Sequence, residues 1–380
     1  MTEKIAKPHL RFAGFDDTWE QRKFEDIAVR SSSISSESGL PRVEYEDIIS
    51  GTGRLNKDIF AKESDKTGIV FHKGDVLYGK LRPYLQNWLL PSFNGLAVGD
   101  FWVLQPQNAD SSFLYRLIQS RQFDEVANQS TGTKMPRSDW KLVSKTEFFI
   151  PSAIGEQAAI GAYFEQLDNL ITLHQRKYDK LTNVKKSMLE KMFPKNGSNV
   201  PEIRFKGFSD AWEQRKLGDC FTERVESMPD GELISVTIND GIKKFSELGR
   251  HDNSNDDKSK YKKVCVGDIA YNSMRMWQGA SGYSSYEGIV SPAYTVLSPN
   301  SGINSKCLAY QFKLPEMIHT FQVNSQGITS DNWNLKYPVL SKIEIFVSKD
   351  EQEQAKIAEY FENLDNLITL HQRECIYLFS

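Results

Sequence analysis

Basic and aromatic side chains alternate in two polar stretches in the first half of the sequence. The stretch GKLRPYLQNW (79–88), here the tyrosine loop, combines cationic and aromatic groups. The stretch STGTKMPRSDW (130–140), here the glycine loop, adds hydroxyl and basic groups. Arg binds guanine edges and phosphates, and Ser or Thr binds bases or phosphates. The candidate DNA-binding residues here are Lys80, Arg82, Tyr84, Thr133, Lys134, Arg137 and Ser138.

The second half contains a counterpart of each loop with different chemistry. NSMRMWQGA (272–280) keeps an arginine beside a tryptophan, and NSQGITSDNW (324–333) replaces the basic residues with hydroxyl and amide groups. Asn is the side chain that typically pairs with adenine. The candidates of this half are Arg275, Trp277, Thr329 and Asn332. The alternative for each residue is an ordinary solvated surface group.

The sequence contains no convincing catalytic signature. GTGRLN (51–56) lacks the last glycine of a dinucleotide fingerprint, and neither a phosphate-binding GxxxxGK[ST] loop nor HExxH occurs. SPAY (291–294) lacks the second proline of the loop found in amino methyltransferases. The four cysteines are widely spaced, which favours neither a metal site nor a disulfide framework and fits a reducing cytoplasm. We therefore expect no catalytic residue and no metal ligand in this chain.

Bulk composition indicates a protein of about two domains. The chain has 380 residues, which exceeds one ordinary domain. Its net charge of −3 counts mildly against a nucleic-acid binder, but residues 174–195 hold seven Lys or Arg against two acids. Phosphates respond to such local patches rather than to the average. No apolar run approaches the length of a membrane span, so we expect no membrane association.

Two sequence blocks occur twice and define an internal repeat. AYFEQLDNLITLHQR (162–176) returns as EYFENLDNLITLHQR (359–373), with thirteen of fifteen positions identical. LRFAGFDDTWEQRK (10–23) returns as IRFKGFSDAWEQRK (203–216), and these are here called the opening blocks. The residues between the blocks have diverged. The pattern predicts two tandem copies of a domain plus helix, with one scaffold and two different surfaces.

Each repeat ends in a long helix whose apolar positions step by fours and threes. This heptad spacing is typical of a helix that faces another helix. The first helix is predicted from Ile160 to Met192 and the second from Ile357 to Leu378, with Ser348 and Glu351 as a capping box. The predicted helix-pairing residues are Phe164, Leu167, Ile171, His174, Phe361, Leu364, Ile368 and His371.

The two helices are predicted to pair as an antiparallel coiled coil that acts as a spacer. The alternative is that each helix packs on its own domain. His174 and His371 are expected to be polar specificity positions of the seam rather than ligands.

The predicted fold class is α+β, with two tandem domains of mixed β-structure and helices, separated by the two long helices. The predicted parts are domain 1 (1–150), a first spacer helix (151–195), domain 2 (196–347) and a second, shorter spacer helix (348–380). Predicted strands of the first domain are 69–71, 75–78, 101–104 and 148–150, with a helix over 113–128. The second domain repeats the plan at 268–271, 294–297 and 343–347.

Three motifs together resemble a known family. They are the GF-x-D-x-WEQRK opening, the GD-x-x-Y motif followed by Arg82 or Arg275, and the E-Q-x-x-I helix that contains F-x-x-L-D-x-L-I. The combination closely resembles the specificity subunit of type I restriction-modification systems. The resemblance covers nearly the whole chain and includes the duplication.

The resemblance implies a DNA-recognition subunit without chemistry of its own. Each domain would read one half of a bipartite double-stranded DNA site, and the paired helices would set the gap. The subunit would dock two methylation subunits, which use S-adenosylmethionine, and restriction/translocase subunits, which use ATP and Mg²⁺. The alternatives are a stand-alone DNA adenine methyltransferase, and a truncated inactive specificity subunit or scaffold. The second helix, which ends in ECIYLFS, is shorter than the first and lacks its basic segment.

Overall fold

A computed structural model describes residues 8, 10–62, 64–129, 135–195, 197–238, 241–249, 251–252, 254, 256–329 and 332–379. The chain divides into two compact units, Met1–Ile171 and Thr172–Ser380, here called unit 1 and unit 2. The division falls within the first long helix, so each unit contains part of it.

Unit 1 consists of short strands and short helices that precede the long helix. Its strands are β1 (Glu20–Lys23), β2 (Ala28–Arg30), β3 (Ile34–Ser35), β4 (Arg42–Val43), β5 (Ile48–Ile49), β6 (Arg54–Leu55), β7 (Gly68–Phe71), β8 (Val76–Gly79), β9 (Trp88–Leu89), β10 (Gly95–Ala97), β11 (Phe101–Pro106) and β12 (Glu147–Ile150). Its helices are α1 (Phe24–Ile27), α2 (Ser111–Leu117), α3 (Arg121–Ala127), α4 (Trp140–Lys145) and the first part, up to Ile171, of α5 (Ile154–Lys191), with 3₁₀ turns at Tyr45–Asp47 and Pro83–Leu85.

Two four-stranded sheets form the centre of unit 1. One has the order β2-β11-β8-β9 and the other β3-β7-β10-β4, while β1 pairs with β12 and β5 with β6. Strand β8 is buried at all four positions because it lies between β11 and β9 with apolar clusters around it. The four strands predicted from the sequence of this unit are present.

The predicted single helix over 113–128 is wrong, because the segment forms two helices. Helix α2 ends at Leu117 and α3 begins at Arg121. The side chain of Ser120 accepts a hydrogen bond from the backbone N–H of Phe123 at 3.3 Å. A serine in this position caps a new helix start, which explains the break.

Unit 2 repeats this order of elements. Its strands are β13 (Glu213–Lys216), β14 (Phe221–Glu223), β15 (Ile234–Thr237), β16 (Gly241–Lys244), β17 (Lys262–Val264), β18 (Ile269–Asn272), β19 (Ser281–Tyr283), β20 (Gly288–Val290), β21 (Tyr294–Pro299) and β22 (Glu344–Val347). Its helices are α6 (Leu217–Cys220), α7 (Ser305–Gln311), α8 (Pro315–Asn324), α9 (Tyr337–Leu340) and α10 (Glu351–Phe379), with 3₁₀ turns at Phe245–Leu248 and Met276–Gln278.

The two units share one sheet and differ in another. The sheet β14-β21-β18-β19 has the same order as β2-β11-β8-β9, and β13 pairs with β22 as β1 pairs with β12. In place of the second four-stranded sheet of unit 1, unit 2 has the pairs β15-β16 and β17-β20. The structure therefore confirms a common scaffold with divergent interiors.

Both long helices begin before their predicted apolar seams, and α5 ends at Lys191, one residue before the predicted end at Met192. Helix α5 has 38 residues and α10 has 29, which correspond to about 57 Å and about 44 Å at ~1.5 Å per residue. The predicted capping box of Ser348 and Glu351 is wrong. The carboxylate of Asp350 accepts hydrogen bonds from the backbone N–H groups of Gln352 at 2.8 Å and Glu353 at 3.4 Å. Asp350 is thus the cap, and the Ser348 hydroxyl donates to the Glu353 carboxylate instead.

Within unit 2, the C-terminal part of α5 packs antiparallel against α10, as the heptad pattern predicts. The Lys185 ammonium pairs with the Asp365 carboxylate, and the rings of His174 and His371 lie 5.2 Å apart. The contacts run forward along α5 and backward along α10, which establishes the antiparallel direction. Leu364 of α10 belongs to the large cluster of buried apolar residues in unit 2. Pairing of the remaining predicted seam residues, Phe164, Leu167, Ile171 and Ile368, stays a prediction.

Helix α10 also packs on its own domain, so the alternative arrangement is present as well. The Phe361 ring lies 5.1 Å from the Tyr310 ring of α7, and 6.2 Å from the Phe193 ring that follows α5. Phe361 is fully buried. Its duplicate in unit 1, Phe164, is 43% exposed and carries the Arg116 guanidinium over its ring at 5.7 Å. The same residue of the repeat therefore lies in two different environments.

We expect Phe361→Ala to destabilise unit 2 by about 3 to 5 kcal/mol, as truncation of a buried phenylalanine does. The matched variant Phe164→Ala should cost about 1 kcal/mol or less, because that ring is already half in water. Hydrogen exchange measured by mass spectrometry on the full chain would report each unit separately. If the two variants lost protection from hydrogen exchange equally, the conclusion that Phe361 is a core residue and Phe164 is not would be wrong.

Candidate nucleic-acid interface

A buried carboxylate joins the opening block of unit 1 to its long helix. Glu156, in the first turn of α5, is 1% exposed. Arg11 donates two hydrogen bonds to it at 2.6 and 2.7 Å, and the Trp19 indole N–H donates a third at 3.3 Å. A bidentate guanidinium is the partner that best compensates a buried carboxylate. The Arg11 hydrogen bonds lower the pKa of Glu156, so this group stays ionised.

Unit 2 contains the same arrangement with an additional donor. Glu353 is also 1% exposed and accepts from Arg204 at 2.7 and 2.8 Å and from the Trp212 indole at 3.1 Å. The Ser348 hydroxyl donates to the same carboxylate at 2.5 Å. Each opening block is thus joined to the first turn of its long helix by the same set of side chains.

The glutamine that follows each of these glutamates connects the long helix to the residue that precedes a short helix of the same unit. In unit 1 the Gln157 side chain accepts from the backbone N–H of Asp110 at 2.9 Å, just before α2. In unit 2 Gln354 accepts from the backbone N–H of Asn304 at 2.8 Å, just before α7. The scaffold that holds the loops is therefore equivalent in the two units.

The two candidate loops of unit 1 lie side by side. The backbone N–H of Ser138, in the glycine loop, donates to the Lys80 carbonyl at 2.9 Å. In the tyrosine loop, the backbone N–H of Arg82 donates to the Pro136 carbonyl at 2.7 Å. Strand β8 ends at Gly79, immediately before this contact. Segments 56 residues apart in sequence (82 and 138) thus form one surface.

Several side chains on this surface are positioned to meet a ligand. Arg82 is exposed and has φ 50° and ψ 62°, a left-handed conformation that costs energy outside glycine and is enriched at functional sites. Within the described residues its guanidinium shows no ion pair. Tyr84 is 58% exposed. Lys80 and Arg137 both pair with Asp100, at 3.4 and 3.0 Å, which holds the two cations next to each other.

The structure changes part of the candidate set. Ser138 is 7% exposed, so its side chain faces the protein interior and is a poor candidate for a DNA contact. The preceding residue, Arg137, forms an isolated antiparallel bridge with Leu81. Thr133 and Lys134 lie outside the described residues.

Sequence reasoning missed the groups that hold this surface together. The Tyr45 hydroxyl donates to the Asp100 carbonyl at 2.6 Å and accepts from the backbone N–H of Leu81 at 3.0 Å. Burial raises the pKa of Tyr45, so the phenol remains a protonated donor. Tyr45 and Asp100 lie in the diverged interior, and the sequence around them carries no motif that points to this role.

The counterpart loops of unit 2 also meet. The Trp277 and Trp333 rings pack edge to face at 5.3 Å, and just after the second loop the backbone N–H of Leu335 donates to the Ser273 carbonyl at 2.9 Å. Arg275 is exposed and donates to the Gln278 amide at 3.1 Å. Trp277 is half-buried, with its N–H bound to the Met274 carbonyl. The predicted residues Thr329 and Asn332 are exposed, and the Asn332 amide donates to the Thr329 hydroxyl at 3.4 Å.

The comparison with known protein families agrees with the duplicated architecture. A family model described as "Type I restriction modification DNA specificity domain" matches residues 16–183 and, a second time, residues 209–376. The chain belongs to this family. Each match contains one copy of the loop pair and most of one long helix.

Individual members of the family match this chain at low sequence identity. The type I restriction enzyme EcoDI specificity subunit of Escherichia coli is 25% identical over 187 residues. That match covers 47% of this chain and 42% of the relative, which is less than half of either protein.

The crystal structure of a type I restriction-modification system S subunit from M. genitalium is 14% identical, with a TM-score of 0.54 and coverage of 97% of this chain and 94% of that chain. At this identity the likeness shows a shared fold. The HsdS subunit from Thermoanaerobacter tengcongensis is 17% identical, with a TM-score of 0.45 and coverage of 96% and 93%. In the part of the chain that the structure describes, no helix is both long and apolar enough to cross a membrane.

We expect Glu156→Gln to destabilise unit 1 by about 2 to 3 kcal/mol. Removing one member of a buried pair costs about 3 to 5 kcal/mol, and the partial exposure of Arg11 reduces that value. Because the folded state lowers the pKa of Glu156, its contribution is complete above the ordinary value of 4.5 and is lost as the pH falls through the depressed value. The variant should therefore show a weaker loss of stability on acidification than the parent chain.

Urea denaturation monitored at several pH values would measure both effects. The matched control is Glu147→Gln, since Glu147 is an exposed carboxylate that accepts a hydrogen bond from Gln21 at 2.6 Å. Its cost should stay within about 0.5 kcal/mol. A similar cost for both variants would show that Glu156 is not a structural anchor.

Proposed function

We propose that this chain is a DNA-recognition subunit in which each unit reads one half of a bipartite double-stranded DNA target. The observation that carries the proposal is that two polar loops meet in each unit, at equivalent places beside equivalent sheets. The sheets β2-β11-β8-β9 and β14-β21-β18-β19 both present such a surface. Membership in the specificity-domain family, twice along the chain, supports the proposal.

The two surfaces differ in the groups that they present. Unit 1 offers Lys80, Arg82 and Arg137, which suit phosphates and the guanine edge. Unit 2 offers one exposed arginine, Arg275, together with the hydroxyl and amide groups of Thr329 and Asn332. Asn binds adenine through two hydrogen bonds, and hydroxyl groups bind bases or phosphates. Each half-site would consequently have its own base preference.

The pairing of Arg137 and Lys80 with Asp100 would help these two side chains to contact DNA. A guanidinium held at 3.0 Å by a carboxylate keeps some of its N–H groups directed outward in a fixed orientation. Preorganised side chains lose less conformational entropy when they bind. The Asp100 charge also weakens non-specific attraction to phosphate, which favours base reading over general DNA affinity.

The chain is proposed to act without chemistry of its own. Two methylation subunits would dock on it and supply S-adenosylmethionine, and restriction/translocase subunits would supply ATP-dependent steps with Mg²⁺, in a cytoplasmic complex. Methylation of an adenine requires the base to leave the stack. The role of this chain would be to hold the flanking duplex while a partner extrudes the base.

Methylation mapping tests the proposal directly. The chain is co-expressed with its methylation subunit and the host DNA is sequenced for modified adenines. A gapped motif with two specific halves is the expected result. Methylation by the purified chain alone with S-adenosylmethionine would instead establish a stand-alone methyltransferase. Absence of any motif, in cells where the two subunits co-purify, would contradict the recognition role.

We expect Arg82→Ala to relax or abolish only the half of the motif that unit 1 reads. Loss of a bidentate contact to a base costs about 1 to 3 kcal/mol, or about 5- to 150-fold in discrimination. The control is Arg121→Ala on α3, whose side chain is 92% exposed and pairs with Glu125 on the same helix. The control should leave the motif unchanged. Equal effects of the two variants would indicate general electrostatic attraction rather than base reading.

Exchange of residues 28–150 for the corresponding region of another family member should change one half-site and leave the other unchanged. The reason is that each loop pair is supported by contacts within its own unit. The readout is the same methylation map, with the parent chain as reference. A change in both half-sites would contradict independent reading.

A further inference from the structure

Two histidines and a glutamate meet on the paired helices of unit 2. His174 on α5 and His371 on α10 come from the identical LITLHQR segments of the repeat. Glu374 lies one helical turn after His371, at a spacing that places both side chains on one face. One ligand atom from each residue lies within 4.8 Å of the other two. The group was not expected from the sequence, which suggested polar seam positions only.

The three ligand atoms lie close enough together for one metal ion to contact all of them. His174 Nδ1 lies 3.0 Å from His371 Nδ1 and 2.6 Å from Glu374 Oε2, and His371 Nδ1 lies 3.6 Å from the same oxygen. Ligands placed ~2.0–2.1 Å from a tetrahedral zinc ion are about 3.3 Å apart. The three separations bracket this value. Two imidazoles and one carboxylate also form a donor set that zinc accepts.

A single proton shared out among the three ligand atoms leaves one of them without a hydrogen bond inside the group. If His174 Nδ1 carries a proton and donates it to Glu374, that single N–H cannot also point at His371 Nδ1. If His371 donates to His174 instead, the His174 lone pair faces the Glu374 oxygen at 2.6 Å. Neutral rings with their protons on Nε2 direct three lone pairs at one point. A cation at that point removes the conflict.

The surroundings allow an ion to enter and to remain. The His174 and His371 side chains are 17% and 13% exposed, while Glu374 is 41% exposed and leaves a path from solvent. The counterpart of Glu374 in the first repeat is Lys177, so the carboxylate is present on one side of the pair only. The two histidines therefore meet one acid, which gives three protein ligands and leaves a fourth position for water.

We propose that His174, His371 and Glu374 form a binding site for a divalent transition-metal ion, with Zn²⁺ as the ion of best fit. The ion joins the C-terminal part of α5 to α10 inside unit 2. Metal ligands on facing helices, with two of them at an i, i+3 spacing on one helix, are a common way to build such sites in helical pairs. Binding to the folded chain alone stabilises it against unfolding.

The test uses the full chain after treatment with a chelator, titrated with ZnCl₂ by calorimetry. We expect one equivalent to bind and the midpoint of thermal unfolding to rise by several degrees. Co²⁺ in place of Zn²⁺ should give the intense visible absorption of a four-coordinate site. Glu374→Gln should weaken binding at least tenfold, and the double variant His174→Gln/His371→Gln should abolish it, while circular dichroism shows that both stay helical.

Two control variants separate this site from adventitious binding. His319→Gln changes an exposed histidine on α8, and Cys265→Ser removes a half-exposed thiol, the other kind of group that zinc prefers. Both should bind zinc as the parent chain does. No zinc binding by the parent chain, or unchanged binding in the double histidine variant, would overturn the proposal.

Discussion

The structure depends on a buried carboxylate at the start of each long helix. An ionised glutamate that is 1% exposed is tolerated only when its charge is matched, and Arg11 or Arg204 supplies two charge-assisted hydrogen bonds in each unit. An opening block and a helix more than 140 residues away are thereby joined at one point. Loss of either partner leaves a buried charge unmatched, so a change at one of the two residues destabilises its unit. This accounts for the presence of the same arginine and the same glutamate in both halves.

A fixed frame leaves the remaining surface free to vary. The common sheet places the ends of β8 and β18 at equivalent positions. There the two loops of unit 1 meet through backbone hydrogen bonds, and in unit 2 a backbone hydrogen bond from Leu335, just after the second loop, supports the contact between Trp277 and Trp333. Backbone contacts of this kind do not depend on side-chain identity. The same geometry can therefore present Lys80 and Arg137 in one unit and Thr329 and Asn332 in the other. The second sheet of unit 1 and the strand pairs of unit 2 diverge around this frame.

The long helices show that one sequence can serve two environments. Phe361 is fully buried between Tyr310 and Phe193, whereas its duplicate Phe164 is 43% exposed. Burial follows from what packs around the residue, which is the Tyr310 and Phe193 rings in unit 2 and the Arg116 guanidinium in unit 1. The same asymmetry places Glu374 beside two repeated histidines. Duplication thus supplied matched helices, and differences outside the repeated segment gave them separate roles.

The sequence by itself determined the repeat, the α+β class, the antiparallel helical seam and the family. These features follow from the periodicity of apolar residues and from local motifs. Only the tertiary structure decided which residues share a surface. It brought Arg82 next to the glycine loop, turned Ser138 inward, and showed that Tyr45 and Asp100 hold the two loops. It also divided the expected helix at Ser120. Such features depend on contacts between distant segments, and spacing along the chain does not encode which side chain ends up beside which.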